Sequence, residues 1–98
     1  MPEYRLSPRA ALDLDGVIEY SENRFGSKQA DIYIAGLTRS FKMLAESPRR
    51  GRPADRFGAG LRQYRFEKHY IVFSVEIDHI IIRAVVHARR QPSPDLVK

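Results

Sequence analysis

The chain contains no cysteine, so a disulfide framework and any thiolate chemistry are excluded, and a reducing compartment suits its composition. Nor does it contain anything near the ~18 to 20 uninterrupted apolar residues that span a bilayer. Its longest apolar runs, Tyr70–Phe73 and Ile80–Ile82, have strand length. The opening Met1-Pro2-Glu3-Tyr4-Arg5 has no apolar stretch behind its charges, which is not the pattern of a secretory signal. A soluble cytoplasmic protein is expected. No metal-ligating spacing is present either: His69, His79 and His87 are far apart, each near a strand end, and form no HxxxH or HExxH set. Gly58-Ala59-Gly60 precedes a strand instead of opening a helix, so its amides would not converge on a phosphate. No metal and no cofactor are expected.

What is present suits one small domain. Ninety-eight residues are too few for two independent cores, so residues 1–98 are expected to form a single unit, with 91–98, which contains two prolines, a flexible tail. Hydrophobic residues at 43% and charged residues at 30% exclude a disordered chain. Seventeen Lys and Arg against twelve Asp and Glu leave a net charge of +5, which favours an anionic partner without naming one.

The periodicities change twice along the chain. Tyr4–Leu6 reads as a short edge strand. Ser7-Pro8 then forms a helix start, because a Ser hydroxyl can accept from an orphan amide and Pro needs no N–H at the first position. Ala10, Leu14, Val17, Ser21 and Phe25 follow at helical spacing, and Gly26 ends that helix. Ser27 is placed to cap a second helix, whose stripe is Ala30, Tyr33, Ile34, Leu37, Phe41 and Leu44, and Ser47-Pro48 stops it. So short a connection requires an antiparallel helical hairpin.

Residues 49–60 have no period, with four arginines, three glycines and one proline, and read as a loop. Beyond it the period becomes two. Strands are expected over 61–66, 69–76 and 80–87, joined by short turns into an antiparallel meander. In the last strand, strict alternation puts Ile80, Ile82, Ala84 and Val86 on one face and Ile81, Arg83, Val85 and His87 on the other, more exposed one. The fold class is therefore α+β: a two-layer β-α-α-β-β-β arrangement with a helical hairpin on one face of a small antiparallel sheet.

Two groups could carry chemistry. The arginines Arg49, Arg50, Arg52, Arg56, Arg62, Arg65, Arg83, Arg89 and Arg90 suit bidentate contact with carboxylate or phosphate. His87, beside Arg89 and Arg90 at the exit of the last strand, could act as acid or base on a phosphodiester.

Several segments together resemble a known family. Tyr4-Arg5-Leu6-Ser7-Pro8-Arg9-Ala10, Asp13-Leu14 and Ile18-Glu19-Tyr20 are similar to the opening of the ParE toxins, of the RelE/ParE superfamily of bacterial toxin–antitoxin systems. Gly26 with Ala30 and Tyr33, Leu44–Pro48 leading to Gly51-Arg52, Leu61-Arg62, His69–Phe73 and Val85–Arg90 extend the likeness over nearly the whole chain. The resemblance implies a β-α-α-β-β-β toxin neutralised by a co-expressed, ParD-like antitoxin, and a non-enzymatic inhibitor of DNA gyrase that blocks replication. Arg89, Arg90 and His87 would then contact the target, while Arg62, Tyr64, Ile81, Arg83 and Val85 would meet the antitoxin. RelE-like members of the superfamily instead cut mRNA in the ribosome. That alternative would use His87 as acid–base group with Arg62 and Arg83 on the phosphate, and Glu46 nearby. The chain lacks lysine in the loop and tyrosine after Arg83, which favours the gyrase reading.

Overall fold

The computed structural model describes residues 3–98, so the reading of the N-terminus falls partly on two residues, Met1 and Pro2, outside the described part. The elements run β1 (Glu3–Leu6), α1 (Pro8–Phe25), α2 (Ser27–Glu46), β2 (Arg52–Pro53), β3 (Arg62–Phe66), β4 (His69–Val75) and β5 (His79–His87). Single 3-10 turns occupy Pro48–Arg50 and Pro94–Val97. The α+β two-layer class holds: two helices pack on one face of a sheet ordered β1-β5-β4-β3-β2. No helix among the described residues is long and apolar enough to cross a membrane.

The helices start and stop where local chemistry places them. Ser7 Oγ accepts the Ala10 N–H at 3.1 Å and Pro8 fills the first helical position. Between the helices stands one residue, Gly26, at φ 89°, a value that a side chain would resist. Gly26 also takes the cap position expected for Ser27, which instead begins α2. The buried stripes, Ala10, Val17 and Ser21 on α1 and Ala30, Leu37, Phe41 and Leu44 on α2, follow the expected helical spacing.

The sheet departs from the expectation in two respects. It is mixed, because β1 lies parallel to β5, with Glu3 opposite His79 and Leu6 opposite Ile82. Alternation within a strand says which side chains share a face, but not which distant strand will lie alongside. It also gains a fifth, two-residue strand inside the arginine-rich loop, where Arg52 and Pro53 pair with Gln63 and Arg62. Pro is tolerated there because β2 is an edge.

The faces of β5 are a correction with a definite cause. Phe73 pairs with Ile82 but Val72 with Ala84, which leaves Arg83 as the extra residue of a β-bulge. The alternation therefore changes phase within the strand. Ile80, Ile82 and Val85 join the core beneath the helices, with Leu37, Phe41, Ile71 and Phe73. Ala84 and Val86 join a second cluster on the opposite face, with Val72, Ala54 and Phe57. Loop residue Phe57, 2% exposed, is a core side chain. The last residues turn back as well: Leu96 and Val97 pack on the second cluster, and the Lys98 carbonyl accepts from Arg9 Nε at 3.0 Å.

Beyond the end of β1, the exposed edge of β5 is satisfied by α1 and its cap. The Ser7 N–H donates to the Ile82 carbonyl, Ser7 Oγ to the Arg83 carbonyl, and the Val85 N–H to Asp13 Oδ2 at 3.0 Å. Burial raises the Asp13 carboxyl above its ordinary pKa, with the Val85 amide and the charges of Arg9 and Arg90 pulling the other way.

Candidate functional site

The bulge has a chemical consequence at the end of the hairpin. Had the register of Val75 with Ile80 continued unbroken, His69 would face Val86. The extra residue moves the pairing by one, so His69 faces His87. The two rings meet edge to face, centroids 5.3 Å apart. Tyr33 of α2 completes the group, its Oη 2.7 Å from His69 Nδ1. Phe66 lies edge-on against Tyr33 at 5.2 Å.

The proton placement follows from the neighbours. Tyr33 Oη accepts the Lys68 N–H at 3.2 Å, so its own hydrogen is free for His69 Nδ1. Burial pushes the Tyr33 hydroxyl above its ordinary pKa, opposed in part by that Lys68 amide, and the phenol stays protonated. Burial, reinforced by His87 and Lys68, lowers His69 from 6.5 to about 4, so it is a neutral acceptor near pH 7. His87 is also an acceptor at Nδ1, which takes the Arg89 N–H at 3.1 Å.

Arg62 and Arg83 stand elsewhere. Arg62 donates from Nε to the Pro48 carbonyl at 3.3 Å and from its terminal nitrogen to the Gly51 carbonyl, tying the turn after α2 to β3. Its partner on β4 is Phe73, four residues from His69, so about 13 Å of strand separates Arg62 from the histidines. Glu46 ends α2 just before that turn. Arg83 donates to Ser74 Oγ at 3.1 Å. Ser74 alternates with Val72 of the second cluster, so Arg83 lies on the face away from the helices. The hydrolytic set His87, Arg62 and Arg83 thus does not converge.

The five residues expected to meet an antitoxin do not share a face either. Tyr64 and Val85 pack into the core beneath the helices, and Arg62 belongs to the same face as Tyr64. Ile81 lies opposite Ser74 and belongs with Arg83 on the other face. Both keep part of their surface exposed. Arg89 and Arg90 are brought together with His87, exposed on the turn that leaves β5. Among the described residues the ion pairs are Arg5–Glu3, Arg9–Asp13 and Lys98–Asp95, and His79 is hydrogen-bonded to Asp78, so neither turn arginine has a carboxylate partner within ion-pair distance. No group of three metal-binding side chains occurs among those residues.

A family model described as the ParE toxin of the type II toxin–antitoxin system, parDE, matches residues 4–92. The chain belongs to this toxin family. It is 39% identical over 85 residues to Toxin ParE1 of Caulobacter vibrioides, covering 87% of this chain and 88% of that one. Toxin ParE1 of Mycobacterium tuberculosis is 30% identical over 87 residues, covering 88% and 89%. A solved chain of the chromosomal ParDE system from P. aeruginosa has the same fold at a TM-score of 0.78 and 20% identity, covering 91% of this chain and 98% of that one.

Against this ParE scaffold, sequence reasoning missed Tyr33 and His69 as partners of His87. Tyr33 sits in the helical stripe and reads as core, and pairing His69 with His87 requires the bulge. One signal was available: a histidine at each outer end of a β-hairpin.

Proposed function

We propose that the protein is the toxin of a type II toxin–antitoxin pair, that it inhibits DNA gyrase and blocks replication in the cytoplasm, and that a ParD-like antitoxin neutralises it. It acts by binding and has no catalytic residues of its own. The single observation that carries this reading is the dispersal of His87, Arg62 and Arg83. A phosphodiester cannot touch an arginine on one sheet face, a second arginine about 13 Å along the other face and a histidine at its end. Target contact is assigned to Arg89 and Arg90, two exposed guanidinium groups on one turn.

The antitoxin has two kinds of surface to cover. Leu12, Tyr20, Phe25 and Ile32 are each more than half exposed on the helical hairpin and offer apolar surface to a partner. On the sheet, Ile81 and Arg83 retain the antitoxin role, while Arg62, Tyr64 and Val85 support the surface from within. An antitoxin segment that folds on contact could cover such separated patches, with carboxylates to meet the positive charge.

The deciding experiment is a supercoiling assay with purified gyrase and toxin. Loss of supercoiling with accumulation of cleaved DNA, reversed by the antitoxin, is expected. Unchanged supercoiling, with no trapped cleavage complex, overturns the gyrase assignment; mRNA cleavage in a translation extract would replace it with the nuclease.

A further inference from the structure

We infer that His87 is a positioning residue, not an acid–base group: its Nδ1 caps the Arg89 amide and sets the turn that presents Arg89 and Arg90, while His69, held by Tyr33, braces its ring. The inference rests on the reading above for what the turn meets, but not for how the turn is built.

The turn carries two hydrogen bonds from one residue. The Arg90 N–H donates to the His87 carbonyl at 2.9 Å, closing a four-residue turn over His87–Arg90. Within it, the Arg89 N–H donates to His87 Nδ1 at 3.1 Å. A side-chain acceptor at the first turn position bonding the amide two residues on is the pattern that Asn and Asp supply in Asx turns. His87 performs it with an imidazole. The Ala88 N–H, donating to the Lys68 carbonyl at 2.8 Å, anchors the turn to the neighbouring hairpin.

This bond restricts what the imidazole can do chemically. A ring whose Nδ1 accepts carries its proton on Nε2 and has no free lone pair for a substrate proton or a metal. Protonated, it would direct an N–H at the Arg89 N–H. General acid–base work at Nδ1 would therefore require giving up the bond that caps the Arg89 amide. The brace runs from Lys68 N–H through Tyr33 Oη and His69 Nδ1 to the edge-to-face contact with His87. Two side chains from other elements fix a ring that is itself exposed.

The test separates the cap from acid–base chemistry by choice of side chain. Asn can accept the Arg89 N–H but cannot titrate near neutrality, and Ala can do neither. His87→Asn is expected to keep gyrase inhibition within about threefold of the natural toxin, and His87→Ala to lose about tenfold or more, the scale of one lost ordering hydrogen bond. Both variants should stay folded and keep their antitoxin affinity, with the melting temperature of His87→Ala lower by about 4–8 °C for the lost hydrogen bond. Equal activity of the two variants, whether both active or both inactive, overturns the inference. A second measurement needs no gyrase: a nitrogen–nitrogen scalar coupling across the hydrogen bond from the Arg89 amide to His87 Nδ1, with the imidazole hydrogen on Nε2. Its presence in the folded toxin supports the cap, and a hydrogen on Nδ1 overturns it. If the natural toxin leaves gyrase untouched, the proposed function fails and the coupling alone decides the cap.

Discussion

Arg62 and the Arg89–Arg90 pair are the same side chain at opposite ends of one small sheet. At the Arg62 end, the guanidinium donates to two backbone carbonyls and holds the turn after α2 against β3. At the other end, Arg89 and Arg90 are exposed on a turn fixed through His87. The first arginine has its donors engaged within the fold, and the other two present theirs to solvent. Positive charge along the chain thus divides into a part that builds the scaffold and a part open to another molecule. The division follows what each guanidinium reaches, because a charged donor facing unpaired carbonyls is held strongly and one facing water is not.

The largest expected effect is at the Arg62 end. Arg62→Met keeps the aliphatic stem but leaves the Pro48 and Gly51 carbonyls without their donor, and should cost about 2–3 kcal/mol. Thermal or urea unfolding reads this directly, and the proposed inhibition of gyrase should fall only as far as the folded fraction falls. An inactive but fully stable variant would break the comparison, because Arg62 would then belong to the functional surface.

A pair of glycines sharpens it, one at a similar cost and the other at a smaller one. A Cβ at Gly51 would lie 2.6 Å from the Phe73 ring and 3.1 Å from the Gln63 carbonyl, while one at Gly36 would have the outer end of the Phe66 ring as its nearest neighbour, at 2.3 Å. Phe73 is fully buried, whereas Phe66 is partly exposed and has room to turn. Gly51→Ala should cost about 2–3 kcal/mol and Gly36→Ala about 1 kcal/mol. Gly36→Ala should also perturb the Tyr33 side chain, visible as a change in the His69 imidazole resonances.

Acid should weaken the histidine end selectively. His69 titrates at about 4 in the folded protein against 6.5 for a free side chain, so the unfolded chain binds the extra proton between those values. Stability is therefore lost as pH falls from about 6.5 towards 4, by about 1–2 kcal/mol after allowing for the ring's partial exposure. Asp13, raised above 3.8, acts in the opposite sense just above that pH. His69→Phe should flatten the His69 part of the curve in urea unfolding measured from pH 4 to 7. An unchanged slope would mean that the imidazole is solvated.

The smallest effect on stability completes the contrast. Arg89→Ala and Arg90→Ala should each change unfolding free energy by no more than about 0.5 kcal/mol, as exposed substitutions do. Their effect belongs to inhibition of the target, which should fall about tenfold or more for the double variant if the turn is the contact. Full inhibition by the double variant would move the target surface elsewhere on the toxin.

Much of the architecture was legible because its causes are local. Ser7-Pro8 and Gly26 bound α1 through hydrogen bonds and φ values that involve only their neighbours. The helical stripes and the period-two runs name most of the core. The candidate site was legible only in its exposed part: Arg89, Arg90 and His87 adjoin in sequence and stay together in space. Arg62, Tyr64, Ile81, Arg83 and Val85 looked alike as strand residues, yet the structure divides them between two faces. Nothing in the alternation of β5 shows that Arg83 is an extra residue. The bulge matches Ser7 and Ser74, 76 and 9 residues away, whose hydroxyls bond the Arg83 carbonyl and guanidinium.

By itself the sequence determined the helical hairpin, the strand-forming segments, the absence of thiol chemistry and the likeness to ParE toxins. Tertiary structure alone decided that β1 runs parallel to β5, that one residue is inserted at Arg83, and that His69, His87 and Tyr33 come together. The reason is that helix spacing and strand alternation are set by bonds between near neighbours. Strand register is set by contacts between residues far apart in the chain, and a slip of one position turns every side chain beyond it to the opposite face.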